Sequence, residues 1–137
     1  GKGEYGQITF LAPSNLAIMT YMFNNNFRRV NEIPAAECRR LLEKLIIPQR
    51  ILTSDVPRGS RSEATGEKTG GKTYTLMDGS EAFLWTFQES YLGVGNAGAV
   101  HLWFFIEKFA TSRRIYSSNI QTENGVVQAL GHDFLFE

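Results

Sequence analysis

The end of the chain limits its fold more than any other stretch. Thr122-Glu123-Asn124-Gly125-Val126-Val127-Gln128-Ala129-Leu130 runs an Asn-Gly dipeptide straight into apolar, β-branched residues, and Gly131-His132-Asp133-Phe134-Leu135-Phe136 follows. Asn-Gly is a strong short-range signal for a turn with positive φ, and Val126 to Leu130 reads as the strand it feeds. A chain that closes on an apolar strand has to seat it in a sheet, beside a partner. The best partner lies far upstream, in Ile8-Thr9-Phe10-Leu11-Ala12, where Pro13 stops the run and Ser14 and Asn15 offer a helix N-cap.

Between these ends, helices come early and strands late. Leu16 to Phe23 reads as a helix ended by Asn24-Asn25-Asn26, and a second helix starts at Pro34. Cys38, Leu41, Leu42, Leu45 and Ile46 fall at helical spacing, so this helix is expected to run on until Pro48 ends it. Ile51-Leu52 reads as a short strand. Pro57 to Gly71 is polar and glycine-rich, and is either a long loop or two edge strands with a mobile hairpin. Tyr74 to Met77, the turn Asp78-Gly79 and Ala82 to Phe87 form a hairpin. Phe83, Trp85 and Phe87 share one face of it, and that more aromatic side is expected to pack inward. A glycine-rich turn, Gly93 to Gly98, leads to a strand at Val100 to Ile106, with Ile115-Tyr116 and Ile120 before the closing strand. This order predicts an α+β fold, with early helices packed on a mainly antiparallel sheet arranged as a wedge or sandwich.

At 137 residues the chain fits one domain, spanning 1–137 with residues 1–7 as a tail. Fourteen lysines and arginines balance fourteen acids, which argues against nucleic acid as the main partner. The lone Cys38 has no internal disulfide partner and reads as a small buried hydrophobe. No run reaches the roughly 18 apolar residues of a membrane span, so membrane attachment is expected only through an anchor outside these residues.

Several motifs spell chemistry without its context. Gly66-Glu67-Lys68-Thr69-Gly70-Gly71-Lys72-Thr73 fits the phosphate-loop pattern, which needs a buried strand before it and a helix after it. Here Arg58 to Thr65 is polar, and the helix would have to run through Asp78-Gly79. Gly93-Val94-Gly95-Asn96-Ala97-Gly98 spells the dinucleotide fingerprint, yet strand formers follow it. His101, His132 and one cysteine supply too few ligands for an obvious zinc site, and no serine or cysteine nucleophile is tied to a base. No metal, cofactor or catalytic residue is therefore expected. Trp85, Trp103 and Tyr91 could serve a carbohydrate-binding surface, but alternation within apolar strands favours a core role for the tryptophans.

Ile8-Thr9-Phe10-Leu11-Ala12-Pro13-Ser14-Asn15 resembles the first signature of the fasciclin (FAS1) domain, a T-x-F-A-P-[ST]-N pattern carried here by Thr9, Phe10, Ala12, Pro13, Ser14 and Asn15. Asn124, Gly125, Val126 and Val127 resemble the start of its second signature, and Leu41 to Pro48 resembles the L-L-x-Y-H-I-V-P segment between them. The match departs at Lys44-Leu45 for Tyr-His, at Gln128 for His and at Gly131 for Asp. Asn119-Ile120 stands where some members carry an Asp-Ile linked to integrin binding, and an amide lacks the carboxylate a metal-dependent receptor would coordinate. Only seven residues precede Ile8, so the helices usual before the first strand are missing and the likeness is to a divergent, bacterial-type member, minimal or trimmed at its start.

The resemblance implies a non-catalytic adhesion or interaction module with an unidentified protein or glycan partner. It also implies an extracellular or cell-surface location, including that of an outer-membrane or periplasmic lipoprotein. Both signatures would support the fold. The loops, with Arg58, Arg61, Lys68, Lys72, Asn96, Asn119 and Ile120, would meet the partner.

Overall fold

The computed structural model describes residues 7–95, 98–109 and 111–136. Strand β1 (Ile8–Ala12) stops at Pro13, and helix α1 (Asn15–Asn24) starts with the Ser14 hydroxyl accepting the Ala17 N–H at 3.3 Å. Helix α2 (Ala35–Glu43) is followed by the two-residue strand β2 (Ile46–Ile47), a 3-10 turn at Thr53–Asp55, and a small hairpin, β3 (Gly59–Arg61) and β4 (Lys68–Gly70). Then come β5 (Lys72–Thr75), β6 (Glu81–Gln88), β7 (Val100–Ile106), β8 (Arg113–Thr122) and β9 (Gly125–Leu130). Seven strands form one sheet in the order β2-β1-β9-β8-β7-β6-β5, while β3 and β4 pair with each other. The fold is α+β and mainly antiparallel, as the order of elements predicts. Among the described residues no helix is long and apolar enough to cross a membrane.

The two ends of the chain meet as expected. β1 lies parallel to β9 from Ile8–Gly125 to Ala12–Ala129 and antiparallel to β2 at Thr9–Ile47 and Phe10–Ile46. The turn before β9 differs from the expected Asn-Gly centre. Thr122 pairs with Gly125, so Glu123 and Asn124 are the turn, and Gly125 is already strand. Its φ of +150° has another cause: a Cβ there would lie 1.9 Å from the Ile8 carbonyl oxygen. Glycine is required by the close approach of β1 rather than by the turn.

The second helix is shorter than its periodicity suggests. Leu45 and Ile46 fit the helical stripe by spacing, but the Leu45 carbonyl accepts the Leu11 N–H at 2.8 Å and Ile46 pairs with Phe10. Tertiary pairing takes these residues out of the helix. Ile51, expected in a short strand, is instead coil buried to 1% exposure, held by side-chain bonds described below.

One core lies between the sheet and the helices. It joins Leu11, Leu45, Ile47, Leu84, Leu102, Phe104 and Ile115 to Ala17, Tyr21 and Leu41. Past β9 the chain leaves the sheet and drops Phe134 and Phe136 into this core, with ring centroids 4.8 Å apart for Phe109–Phe134 and 5.9 Å for Tyr21–Phe136. Ala82, Leu84 and Thr86 face it from β6.

The more aromatic side of β6 therefore does not make the main core, contrary to expectation. It forms a second cluster on the opposite face, where Phe83 pairs with Phe105 and Trp85 with Trp103. Strands β3 and β4 act as its lid: the Arg61 guanidinium sits 3.5 Å above the Phe105 ring and the Lys68 ammonium 5.6 Å from that of Phe83. The polar stretch from Pro57 to Gly71 is thus two paired strands with a covering role. Both faces of β6 are buried over most of its length, and Phe87 alone among its large apolar side chains emerges, at 52% exposure.

Candidate functional site

The sheet divides at one end. Strands β7 and β8 pair only at Trp103–Arg114 and Phe104–Arg113. Beyond that point β7 continues with β6 alone, through Leu102–Thr86, His101–Phe87 and Val100–Gln88, while β8 stays with β9. Two irregularities in β8, between Ile115 and Ser117 and between Ser117 and Ile120, bend it away. Asn119 sits in the second of these with φ 59°, a left-handed conformation that asparagine tolerates better than most residues.

A short strap bridges the two halves. At one end Thr53 donates its N–H and hydroxyl to Asn119 Oδ1, at 2.8 and 3.0 Å. At the other, Thr86 donates its N–H to the Pro57 carbonyl at 3.0 Å and its hydroxyl to the Val56 carbonyl at 3.1 Å. Asp55, within the strap, turns its carboxylate back to accept the Leu52 N–H at 2.9 Å.

The strap is anchored from below by two buried polar side chains. Gln128, fully buried, donates from Nε2 to the Ile51 carbonyl and to Asn119 Oδ1, both at 3.1 Å, and its Oε1 accepts the Asn119 N–H at 2.9 Å. Thr9, also fully buried, donates to the Gln49 carbonyl at 2.7 Å and accepts the Ile51 N–H at 2.8 Å. These bonds satisfy groups that would be costly to bury unpaired, and they fix residues 49–52, which have no regular structure before the 3-10 turn.

Between strap and split sheet lies a cleft of about 480 Å³. Thr53, Ser54, Val56 and Arg58 line it from the strap side, Thr86 and Val100 from β6 and β7, and Ser118 and Asn119 from β8. A second recess of about 400 Å³ shares Arg58 and Thr86 and adds Gly59, Phe87 and Gln88, so Arg58 stands between the two. Its guanidinium donates to Gln88 Oε1 at 3.1 Å.

On the other face of the same arm, His101 Nε2 lies 3.3 Å from Glu89 Oε1, and Arg114 approaches both, at 3.5 and 3.9 Å. The tip beyond is apolar and exposed: Tyr91 and Val94 exchange backbone bonds at 2.9 Å around Leu92, whose φ is 50°.

The residues expected to contact a partner are thus sorted. Arg58 and Asn119 come together in the cleft. Ile120 pairs with Val127 at the edge of the β8 bulge, 43% exposed. Arg61 belongs to the lid over the aromatic cluster, bonded to Ser112 Oγ at 3.2 Å and Glu63 at 3.1 Å, and the Ser112 contact, with Arg61 beside it, holds the Glu63 carboxyl below its usual range. Lys68 covers the aromatic cluster, and Lys72 lies 5.3 Å from the Tyr74 ring. Asn96 lies outside the described residues.

Of the signature residues, Thr9 and Gly125 make the close contacts already given, and Val126 is buried. Pro13, Ser14 and Asn15 form the entry to α1. Ser54, Ser118 and Thr53 carry no signal in the sequence that would mark them as a group, since the fold alone gathers them.

The phosphate-loop spelling is not a phosphate loop. Lys72 and Thr73 belong to β5, and the turn at Asp78-Gly79 follows where a helix would have to run. The G-x-G-x-x-G stretch leads into β7, another strand. Trp85 is 4% exposed and stacks between Phe83 and Trp103, at centroid distances of 5.2 and 6.1 Å, so it offers no sugar platform. Among the described residues no group of three or more His, Cys, Asp or Glu could hold a metal ion.

No family model matches the sequence, and no curated protein matches it. A solved structure does share its fold: a FAS1 domain pair from the insect cell adhesion molecule fasciclin I, with a TM-score of 0.57 over 92% of this chain and 16% identity. The chain spans 36% of the length of that structure. At this identity the likeness speaks for the fold alone.

Proposed function

We propose that this domain is a non-catalytic interaction module of the adhesion type, acting outside the cell or at its surface, and that it meets its protein partner at the divided end of the sheet. The supporting observation is the shared fold with a FAS1 domain pair of a cell adhesion molecule. The divided end adds to it in kind. Arg58 emerges there from the strap, and Phe87, Tyr91 and Leu92 from the two-stranded arm and its tip, and exposed aromatic and arginine side chains are residue types that dominate binding at protein interfaces. Leu92 holds a left-handed backbone while 85% exposed, the sort of local strain that gathers at contact sites.

The test is attachment. Beads coated with the domain are expected to adhere to cells, and protease treatment of the cells is expected to abolish adhesion. Adhesion that survives protease but not glycosidase would replace the protein partner with a glycan. Beads that bind no better than uncoated ones would overturn the module itself.

A further inference from the structure

We infer that the cleft between the strap and the split strands binds a carboxylate on an extended peptide of the partner, with Arg58 as the charged anchor. This rests on the interaction-module reading and goes further by assigning a site and a ligand chemistry.

The groups left over in the cleft can all donate, and the guanidinium and amide nitrogens can only donate. Asn119 Oδ1 already accepts three bonds, from the Thr53 N–H, the Thr53 hydroxyl and Gln128 Nε2. Because the Thr53 N–H can only donate, the atom facing it has to be the amide oxygen, and the amide nitrogen is left for a ligand. The hydroxyls of Ser54 and Ser118 take no hydrogen bond among the described residues. Arg58 is the one charged residue in the lining, and the strap's own acid, Asp55, is engaged by the Leu52 N–H. Guanidinium, amide N–H₂ and two hydroxyls around one space favour an acceptor that carries negative charge, and a carboxylate matches the fork of an arginine.

The walls explain why the carboxylate should sit on an extended chain. From Val100 to Leu102, strand β7 has β6 on one side and no paired strand on the other, because β8 has left the ladder after Arg114. An open strand edge receives an extended peptide by backbone hydrogen bonding, while neighbouring pockets read its side chains. Val56 and Val100 give the cleft an apolar part beside its donors. An alternating apolar and acidic segment meets both.

The experiment uses the full chain and a fluorescein-labelled peptide of alternating valine and aspartate, read by anisotropy. A matched valine–asparagine peptide, sodium acetate and a uronate oligosaccharide serve as controls. The acidic peptide is expected to bind at least about tenfold more tightly than the amide peptide, which corresponds to the loss of a hydrogen bond to a charged group. Arg58→Gln should weaken it by about the same factor, Arg58→Lys by less, and Ser118→Phe, which fills the cleft from the opposite wall, should also weaken it.

Equal binding of the two peptides would overturn the inference. So would unchanged affinity in both Arg58→Gln and Ser118→Phe. Complete displacement by acetate at equal concentration would assign the site to a free carboxylate, and binding of the uronate alone would assign it to an acidic sugar, each replacing the peptide. If the peptide fails while wild-type and Arg58→Gln beads still adhere to cells, the module stands and the cleft assignment falls. If instead the peptide binds while the beads fail to adhere, the cleft assignment stands and the adhesion module falls.

Discussion

Asn119 and Gln128 hold each other through two hydrogen bonds, the Asn119 N–H to Gln128 Oε1 at 2.9 Å and Gln128 Nε2 to Asn119 Oδ1 at 3.1 Å. The pair ties the bulge of β8 to the middle of β9, and through the Ile51 carbonyl and Thr53 it reaches the strap. Gln128 stands where the signature that the chain resembles has a histidine, and its side chain is polar, buried and bonded through both Nε2 and Oε1.

Replacing Gln128 by leucine keeps the bulk and removes every one of these bonds. The Ile51 carbonyl is then left buried without a partner, and a cost of about 2–3 kcal/mol is expected. Denaturant unfolding of Gln128→Leu, Asn119→Leu and the double variant checks it. The two single losses should exceed the double one when summed, because both variants break the same pair. Additive losses would mean that the pair contributes nothing as a unit.

The parallel pairing of β1 and β9 rests on Gly125. A Cβ at this position would meet the Ile8 carbonyl oxygen at 1.9 Å, so Gly125→Ala has to push one strand off the other, at an expected cost of about 3 kcal/mol. Gly79 is the control, with φ +89° and nothing within 4 Å of its Cβ position, and Gly79→Ala should cost only the backbone strain of about 1 kcal/mol. Hydrogen exchange makes the difference visible. Amides of β1 should exchange much faster in Gly125→Ala and only slightly faster than wild type in Gly79→Ala, in step with its smaller cost.

Much of this frame is readable from the residues, and where the reading fails there are physical causes. The pairing of Ile8–Ala12 with Gly125–Leu130 is legible because each run is apolar, β-branched and bounded by turn or cap residues. Leu45 and Ile46 mislead because they continue a helical stripe by spacing while β1 takes the Leu45 carbonyl and pairs with Ile46. On β6 the alternation of Phe83, Trp85 and Phe87 against Ala82, Leu84 and Thr86 is right, but alternation cannot tell which face receives the main core when a hairpin covers the other. The polar run from Pro57 to Gly71 does not look like a lid because its covering groups are the guanidinium of Arg61 and the ammonium of Lys68. The cleft is illegible for a different reason. Arg58 and Asn119 stand out separately as loop residues, but what brings them together with Ser54 and Ser118 is a break in the ladder between β7 and β8.

Tyr21 gives the fold a dependence on alkaline pH. Its ring is buried among Phe27 and Phe136, and its hydroxyl donates to Glu37 Oε2 at 2.5 Å. Burial first, and then the bond to the Glu37 carboxylate and its charge, push the phenol from 10.0 up to about 12, with Arg40 opposing. A raised folded-state value means that folding favours the neutral phenol. Its contribution is complete below about pH 10 and is lost as pH rises through about 12. Tyr74 shifts in the same direction, through burial first and then the charge of Asp55. Chemical denaturation across this window should show stability falling with pH, and Tyr21→Phe should flatten the fall without removing it, because Tyr74 remains. Tyrosinate absorbance of the folded protein should lose its latest-titrating step in the same variant. A pH profile identical to wild type would show that Tyr21 does not stay neutral in the core.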